Sequence, residues 1–185
     1  MKFIKFLLII FISINSPIKA DSNQNVINEL KRGGNLIFIR HAYAPGGGDP
    51  KNFDINDCKT QRNLSNSGRE QAKKIGSYFE ESNIPIDKVY SSEWCRCKET
   101  ASIAFKDFEI KSFLNSFFSS QFAKNKDPQM KKLKTFISNW NENKNLVFVT
   151  HYVVISESLN YAPSSGEIVI SNKDFKVIDT IEIEY

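Results

Sequence analysis

The chain holds two histidines, His41 and His151, and each closes a near-copy of one apolar run. The runs are Asn35-Leu36-Ile37-Phe38-Ile39-Arg40-His41 and Asn145-Leu146-Val147-Phe148-Val149-Thr150-His151. An imidazole nitrogen is a competent nucleophile toward phosphorus, because a covalent intermediate splits one difficult transfer into two easier ones. Arg40 stands beside the first histidine, and Arg96 follows the segment Ser91-Ser92-Glu93-Trp94-Cys95. A guanidinium offers a planar fork of donors matched to phosphoryl oxygens. Two histidines and two arginines therefore read as a phosphoryl-transfer pocket, provided the fold brings them together.

The elements that must do so are legible in the pattern. Short β-branched and aromatic runs at 35–40 and 145–150 read as buried strands. In an open α/β sheet, ligands bind beyond the carboxyl ends of the strands, so twin strand ends can aim both histidines at one site. A third short strand, Lys88–Ser91, leads into a helix from Glu93 to Phe105 and places Arg96 in its first turn. An arginine and the positive end of a helix then act together on an anion. Helical spacing predicts further helices over 24–32, 67–82, 127–143 and 152–160, with Ser67 and Glu70 spaced as a capping box and Asp127-Pro128 opening the fourth. Two late β runs, 167–171 and 175–184, flank a turn at Asn172-Lys173-Asp174. This alternation predicts a three-layer α/β/α sandwich with a mainly parallel central sheet and a C-terminal β-hairpin. The segment from His41 to Leu64 lacks periodicity and holds Gly46-Gly47-Gly48, a long loop of the kind that usually carries function.

Residues 1–20 read as a secretory signal: a basic start, an apolar core from Phe6 to Ile14, and a small residue at a cut after Ala20. That core is too short to span a bilayer, so no stable membrane anchor is expected, and residues 21–185 form a single domain in the periplasm or outside the cell. Losing Lys2, Lys5 and Lys19 leaves 22 basic against 21 acidic residues, a net of +1. Nothing in that balance supports nucleic-acid binding. Export permits a disulfide. Cys95 and Cys97 lie two apart on a helix and face different ways, so Cys58 is expected to pair with one of them and tie the loop to the helix of Arg96.

Four motifs together carry a resemblance. Arg40-His41-Ala42, Leu64-Ser65-Asn66-Ser67-Gly68-Arg69-Glu70-Gln71-Ala72, Ser91 through Arg96 to Thr100-Ala101, and the strand ending at His151 stand in the order found in the histidine phosphatase superfamily, whose fold is phosphoglycerate-mutase-like. The chain resembles the short exported members of that family, some of which act on phosphohistidine or on cell-envelope sugar phosphates. The resemblance implies that His41 becomes phosphohistidine, that Arg40, Arg96 and His151 surround the phosphoryl group, and that Arg62 is a further substrate contact. It implies a small phosphorylated substrate, a cell-envelope phosphate among them, and no metal or organic cofactor. Mutase activity is not expected.

One part of the family pattern is missing. Members place a glutamate shortly after the third strand, or an aspartate directly after the second histidine; here those positions read Phe113-Leu114-Asn115-Ser116 and Tyr152. General acid catalysis contributes about 10²–10⁴-fold, so an enzyme without it favours good leaving groups such as phosphoramidates and acyl or aryl phosphates. Glu93 is the candidate replacement, with Asp49, Asp54 and Asp57 of the loop as alternatives. The competing reading is a phosphate-binding module without turnover. A metal site built from both histidines and a cysteine is disfavoured, because two arginines beside it would repel a cation.

Overall fold

A computed structural model describes residues 18–141 and 143–185, with side chains from residue 24 onward. Among the described residues six strands form one sheet: β1 Leu36–Arg40, β2 Ile86–Ser91, β3 Glu109–Ile110, β4 Asn145–Thr150, β5 Ile168–Ser171 and β6 Val177–Ile181. Their order is β3-β2-β4-β1-β5-β6, with β1, β2, β3 and β4 parallel and the β5–β6 hairpin antiparallel to β1. The helices are α1 Ile18–Arg32, α2 Asn66–Glu81, α3 Cys95–Phe105, α4 Lys126–Ser138 and α5 Tyr152–Leu159.

Alternation along the strands divides the core in two. Ile37, Ile39, Val147 and Val149 pack with Leu30 of α1, Ile75 and Phe79 of α2 and Ala101 of α3. Leu36, Phe38, Leu146 and Phe148 point the other way and pack with Leu133 and Ile137 of α4 and Val154 and Ile155 of α5. Both faces of a strand are covered, which is why β1 and β4 read as continuous apolar runs. The expected α/β/α sandwich is the observed one. Its central register is pinned by the asparagines that open the twin runs: Asn35 donates from its backbone and side chain to Asn145 Oδ1, and Asn145 Nδ2 donates to the carbonyls of Leu30 and Pro85.

Several boundaries differ from expectation. The first helix starts at Ile18, ahead of the expected residue 24, and so includes the last three residues of the segment read as a signal; residues 1–17 of that segment lie outside the described residues. Among the described residues no helix is long and apolar enough to cross a membrane. The cap of α2 is Ser65, whose Oγ accepts from Gly68 N at 3.0 Å, while Glu70 turns outward to Lys73. Helix α4 ends at Ser138, short of the expected 143, and its N-cap is Asn125, with Asp127 inside the first turn.

Gly68 permits the close approach of α2 to the loop after β1, since a Cβ there would lie 2.0 Å from the carbonyl oxygen of Tyr43. Gly68→Ala is expected to destabilise the fold by about 2–3 kcal/mol, the scale of overpacking against backbone that cannot yield. A lower urea midpoint at unchanged slope is the readout.

Cys58 pairs with Cys95, with Cα atoms 5.7 Å apart and 37 residues between them in sequence, and Cys97 is a buried free thiol. The bond ties the loop after β1 to the first turn of α3. Cys58→Ser is expected to cost about 2–4 kcal/mol, mostly through release of the unfolded chain. Comparing melting of the oxidised protein, with and without reductant, against the variant measures it, and reductant should leave the variant's melting unchanged.

Candidate active site

Three adjacent strand ends build the site. In-register parallel pairing sets Arg40 opposite Thr150, and His41 N donates to Thr150 O at 2.9 Å, so the two histidines leave the sheet side by side with ring centroids 5.6 Å apart. On the far side of β4, β2 delivers Ser92, and α3 then starts at Cys95 and carries Arg96 inward. Thr100, one α-helical turn past Arg96, joins the halves: its Oγ1 donates to Arg96 O and accepts from Ala42 N. Gln71 of α2 fixes the same loop from the other side, accepting from Tyr43 N at 2.8 Å and donating to Ser165 O at 2.7 Å. Both residues stood in the quoted motifs, but their tie to the loop appears only in three dimensions.

One cavity of about 550 Å³ holds Arg40, His41, Arg62, Arg96 and His151 together. His41 is 2% exposed. Its Nδ1 lies 2.8 Å from the carbonyl oxygen of Ala42, which can only accept, so Nδ1 carries the proton and Nε2 keeps its lone pair. Arg96 Nε donates to that Nε2 at 3.1 Å, in agreement with this tautomer. Burial, then the charge of Arg96, pushes the His41 pKa well below its ordinary value, so the imidazole is neutral at physiological pH. His151 is held neutral by the same two causes, and its Nε2 shares a 2.9 Å hydrogen bond with Ser92 Oγ. Cys97 Sγ lies 3.4 Å from the same nitrogen, but burial pushes its thiol up to about 12, so it remains protonated.

The arginines differ in how fully they are engaged. Arg40 Nη1 donates to Pro163 O at 2.8 Å, and Arg62 Nη1 donates to Ala44 O. Each of these two guanidiniums retains a buried Nε with no hydrogen-bond partner. Burial lowers both pKa values, that of Arg62 to about 10, so both remain cationic near neutral pH. Arg96 is fully committed: with Nε on His41, its Nη1 and Nη2 grip the two oxygens of Asp49 at 2.7 and 3.2 Å.

Asp49 is the residue that sequence reasoning underweighted. Burial alone would raise its pKa, but hydrogen bonds and charge from Arg96 outweigh that and hold it low. Glu93, the residue singled out as acid, does not line this cavity. It faces a neighbouring depression, where Asn115 Nδ2 donates to its Oε2. Asp54 lines that second depression and Asp57 caps a 3-10 turn at Lys59 N, so both serve loop structure. Among the described residues no group of three or more His, Cys, Asp or Glu side chains could hold a metal ion.

Known proteins align with this picture. Residues 36–115 match the histidine phosphatase superfamily (branch 1). The chain is 32% identical over 105 residues to the mitochondrial serine/threonine-protein phosphatase Pgam5 of Drosophila grimshawi, an alignment covering 52% of this chain and 34% of that one. It thus spans about a third of the length of the curated relatives it matches. Among solved structures, phosphoglycerate mutase from Thermus thermophilus superposes with a TM-score of 0.56 at 13% identity, covering 81% of this chain and 99% of that one. The protein histidine phosphatase SixA complexed with tungstate gives 0.53 at 12% identity over 80% and 96%. Such low identities speak to the fold alone, while the matched segment spans the loop, cap and arginine motifs between β1 and Asn115. Residues 36–115 are thus similar in sequence to the histidine phosphatase superfamily, and about four fifths of the chain shares the fold of these solved structures.

Proposed function

We propose that the chain hydrolyses phosphate monoesters or phosphoramidates through a covalent phosphohistidine on His41. One observation carries the reading: a neutral His41 with Nε2 unprotonated stands in a cavity ringed by three arginines, two of which hold buried Nε donors without partners. Leaving buried guanidinium donors without partners is costly, and a phosphoryl group would give those of Arg40 and Arg62 an acceptor. Arg40, Arg62 and Arg96 would stabilise charge on the equatorial oxygens while phosphorus passes to and from Nε2, and His151 would donate to one of those oxygens. Pgam5 and SixA bear phosphatase names, which supports the reaction class.

The cavity fits a small phosphorylated substrate, with Phe118 and Tyr152 exposed at its rim to meet the rest of the molecule. The Cys58–Cys95 bond supports an oxidising compartment, in line with export to the periplasm or beyond and with a cell-envelope phosphate as substrate. A second reading has its own observation. Arg96 is tied to His41 and Asp49 together, an arrangement that would also suit a module that binds phosphate without turning it over.

Steady-state hydrolysis of para-nitrophenyl phosphate and of a phosphoramidate, beside His41→Ala, separates the two. Turnover that disappears in the variant supports the phosphatase. Weak activity indifferent to the substitution would remove His41 as nucleophile and leave the binding module.

A further inference from the structure

We propose that Asp49 is the proton donor to the leaving group, an inference that rests on His41 being the nucleophile. Among the described residues that line the cavity around His41, Asp49 is the sole carboxylate. The acid-bearing positions of the family hold Asn115, Ser116 and Tyr152, and Glu93 faces elsewhere. Asp49 is also built into the site. Its Oδ1 accepts from Arg96 Nη1 at 2.7 Å and from Arg62 N at 3.1 Å. Its Oδ2 accepts from Arg96 Nη2 at 3.2 Å and from the Trp94 indole at 3.0 Å.

In this resting arrangement the carboxylate is the counter-ion of a pocket that also holds Arg40, Arg62, Arg96 and two neutral histidines, with the buried Cys97 thiol behind His151. A phosphoryl dianion competes for the same fork of Arg96. Once it shares that fork, Asp49 faces two negative charges, and a neighbouring like charge favours the protonated carboxyl. The loop has room for the carboxyl to follow the leaving oxygen: Gly46 and Gly48 adopt φ +90 and +76, and a Cβ at Gly47 or Gly48 would meet nothing within 4 Å. Substrate binding itself thus loads the acid.

The proton balance is complete. His41 Nε2 forms a bond to phosphorus while the P–O bond breaks, its electron pair passes to the leaving oxygen, and Asp49 gives that oxygen its proton. A water then attacks phosphorus and yields a proton to the Asp49 carboxylate, while the P–N electron pair returns to Nε2. The products are an alcohol and inorganic phosphate, and Asp49 is again protonated until phosphate leaves.

The test is a leaving-group series, from 2,4-dinitrophenyl phosphate through para-nitrophenyl phosphate to an alkyl phosphate, on the wild-type chain and Asp49→Asn. The expected loss in kcat is about 10²–10⁴-fold on the alkyl ester and less than about tenfold on the dinitrophenyl ester, whose leaving group needs no proton. Equal losses across the series would reduce Asp49 to a residue that orients Arg96, and gains across it would make the carboxylate a mere competitor for the anion site. Either overturns the proposal while leaving His41 untouched, whereas a His41→Ala variant with wild-type rates overturns the nucleophile itself. Calorimetric titration with tungstate, in buffers of different ionisation enthalpy near neutral pH, reads the same event without turnover. One proton taken up per anion by the wild type and none by Asp49→Asn is expected. Uptake that persists in the variant assigns the proton to a histidine, and no uptake by the wild type removes the loading step; both overturn the proposal.

Discussion

His41→Ala is expected to lower kcat on para-nitrophenyl phosphate by about 10⁴-fold or more, since among the described residues no other group is placed to form the proposed covalent intermediate. The only other imidazole, His151, has Nε2 engaged by Ser92 Oγ, and the nearby Cys97 remains a thiol. Anion binding should survive, because Arg40, Arg62 and Arg96 are untouched and Arg96 Nε is freed from Nε2. The combination of lost turnover with retained tungstate affinity, in a variant whose melting shows it folded, is the signature of a missing nucleophile. A pocket that merely collapsed would lose both.

The same burial gives the site a pH signature in stability. The folded-state pKa of both histidines lies well below 6.5, their ordinary value, so between that value and the folded ones the unfolded chain binds protons that the folded chain refuses. Stability is therefore fully present above about pH 6.5 and declines as pH falls below it, by up to about 1.4 kcal/mol per pH unit for each histidine. His41, the proposed nucleophile, stays unprotonated over that window. Turnover by the protein that remains folded should accordingly show no loss centred on 6.5.

Much of this site was legible because it follows from strand ends. The twin runs at 35–41 and 145–151 announced two buried parallel strands, and parallel pairing in register makes their terminal histidines neighbours without further information. Arg96 could be placed because a strand-to-helix turn leaves a first-turn side chain pointing at the sheet's end. Strand β3 could not be read, since two exposed residues at a sheet edge carry no alternation to detect. Asp49 was one acid among several in a loop without periodicity. What distinguishes it from Asp54 and Asp57 is a guanidinium 47 residues away, and pairings of that range are set by the tertiary fold. Glu93 misled for the converse reason: its nearness to Arg96 in sequence says nothing of its direction, which Asn115, 22 residues on, decides. The choice between Cys95 and Cys97 as partner of Cys58 was open for the same reason.

Arg96→Lys keeps the charge and removes the fork, and it is expected to cost about 10²–10³-fold in kcat/KM, the scale of losing one preorganised donor set at a developing charge. In the wild type one planar group serves four acceptors: Nε lies on His41 Nε2, the two terminal nitrogens lie on the two oxygens of Asp49, and Nη1 also reaches Arg62 O. An ammonium on a flexible stem can follow Asp49 or turn toward the phosphoryl oxygens, but it cannot hold the nucleophile, the carboxylate and the substrate in one plane. The pair is nearly sealed from water, with the Arg96 side chain 4% and the Asp49 side chain 16% exposed. Arg96→Ala would strand that carboxylate, and losing one partner of a buried pair costs about 3–5 kcal/mol, so the alanine variant confounds folding with chemistry. The lysine variant avoids that. Its kinetics should separate by substrate: the loss should appear on the dinitrophenyl and alkyl phosphates alike, because charge on the equatorial oxygens develops whatever the leaving group. If the dinitrophenyl ester were spared, Arg96 would be acting through Asp49 alone, and the phosphoryl clamp would have to be assigned to Arg40 and Arg62.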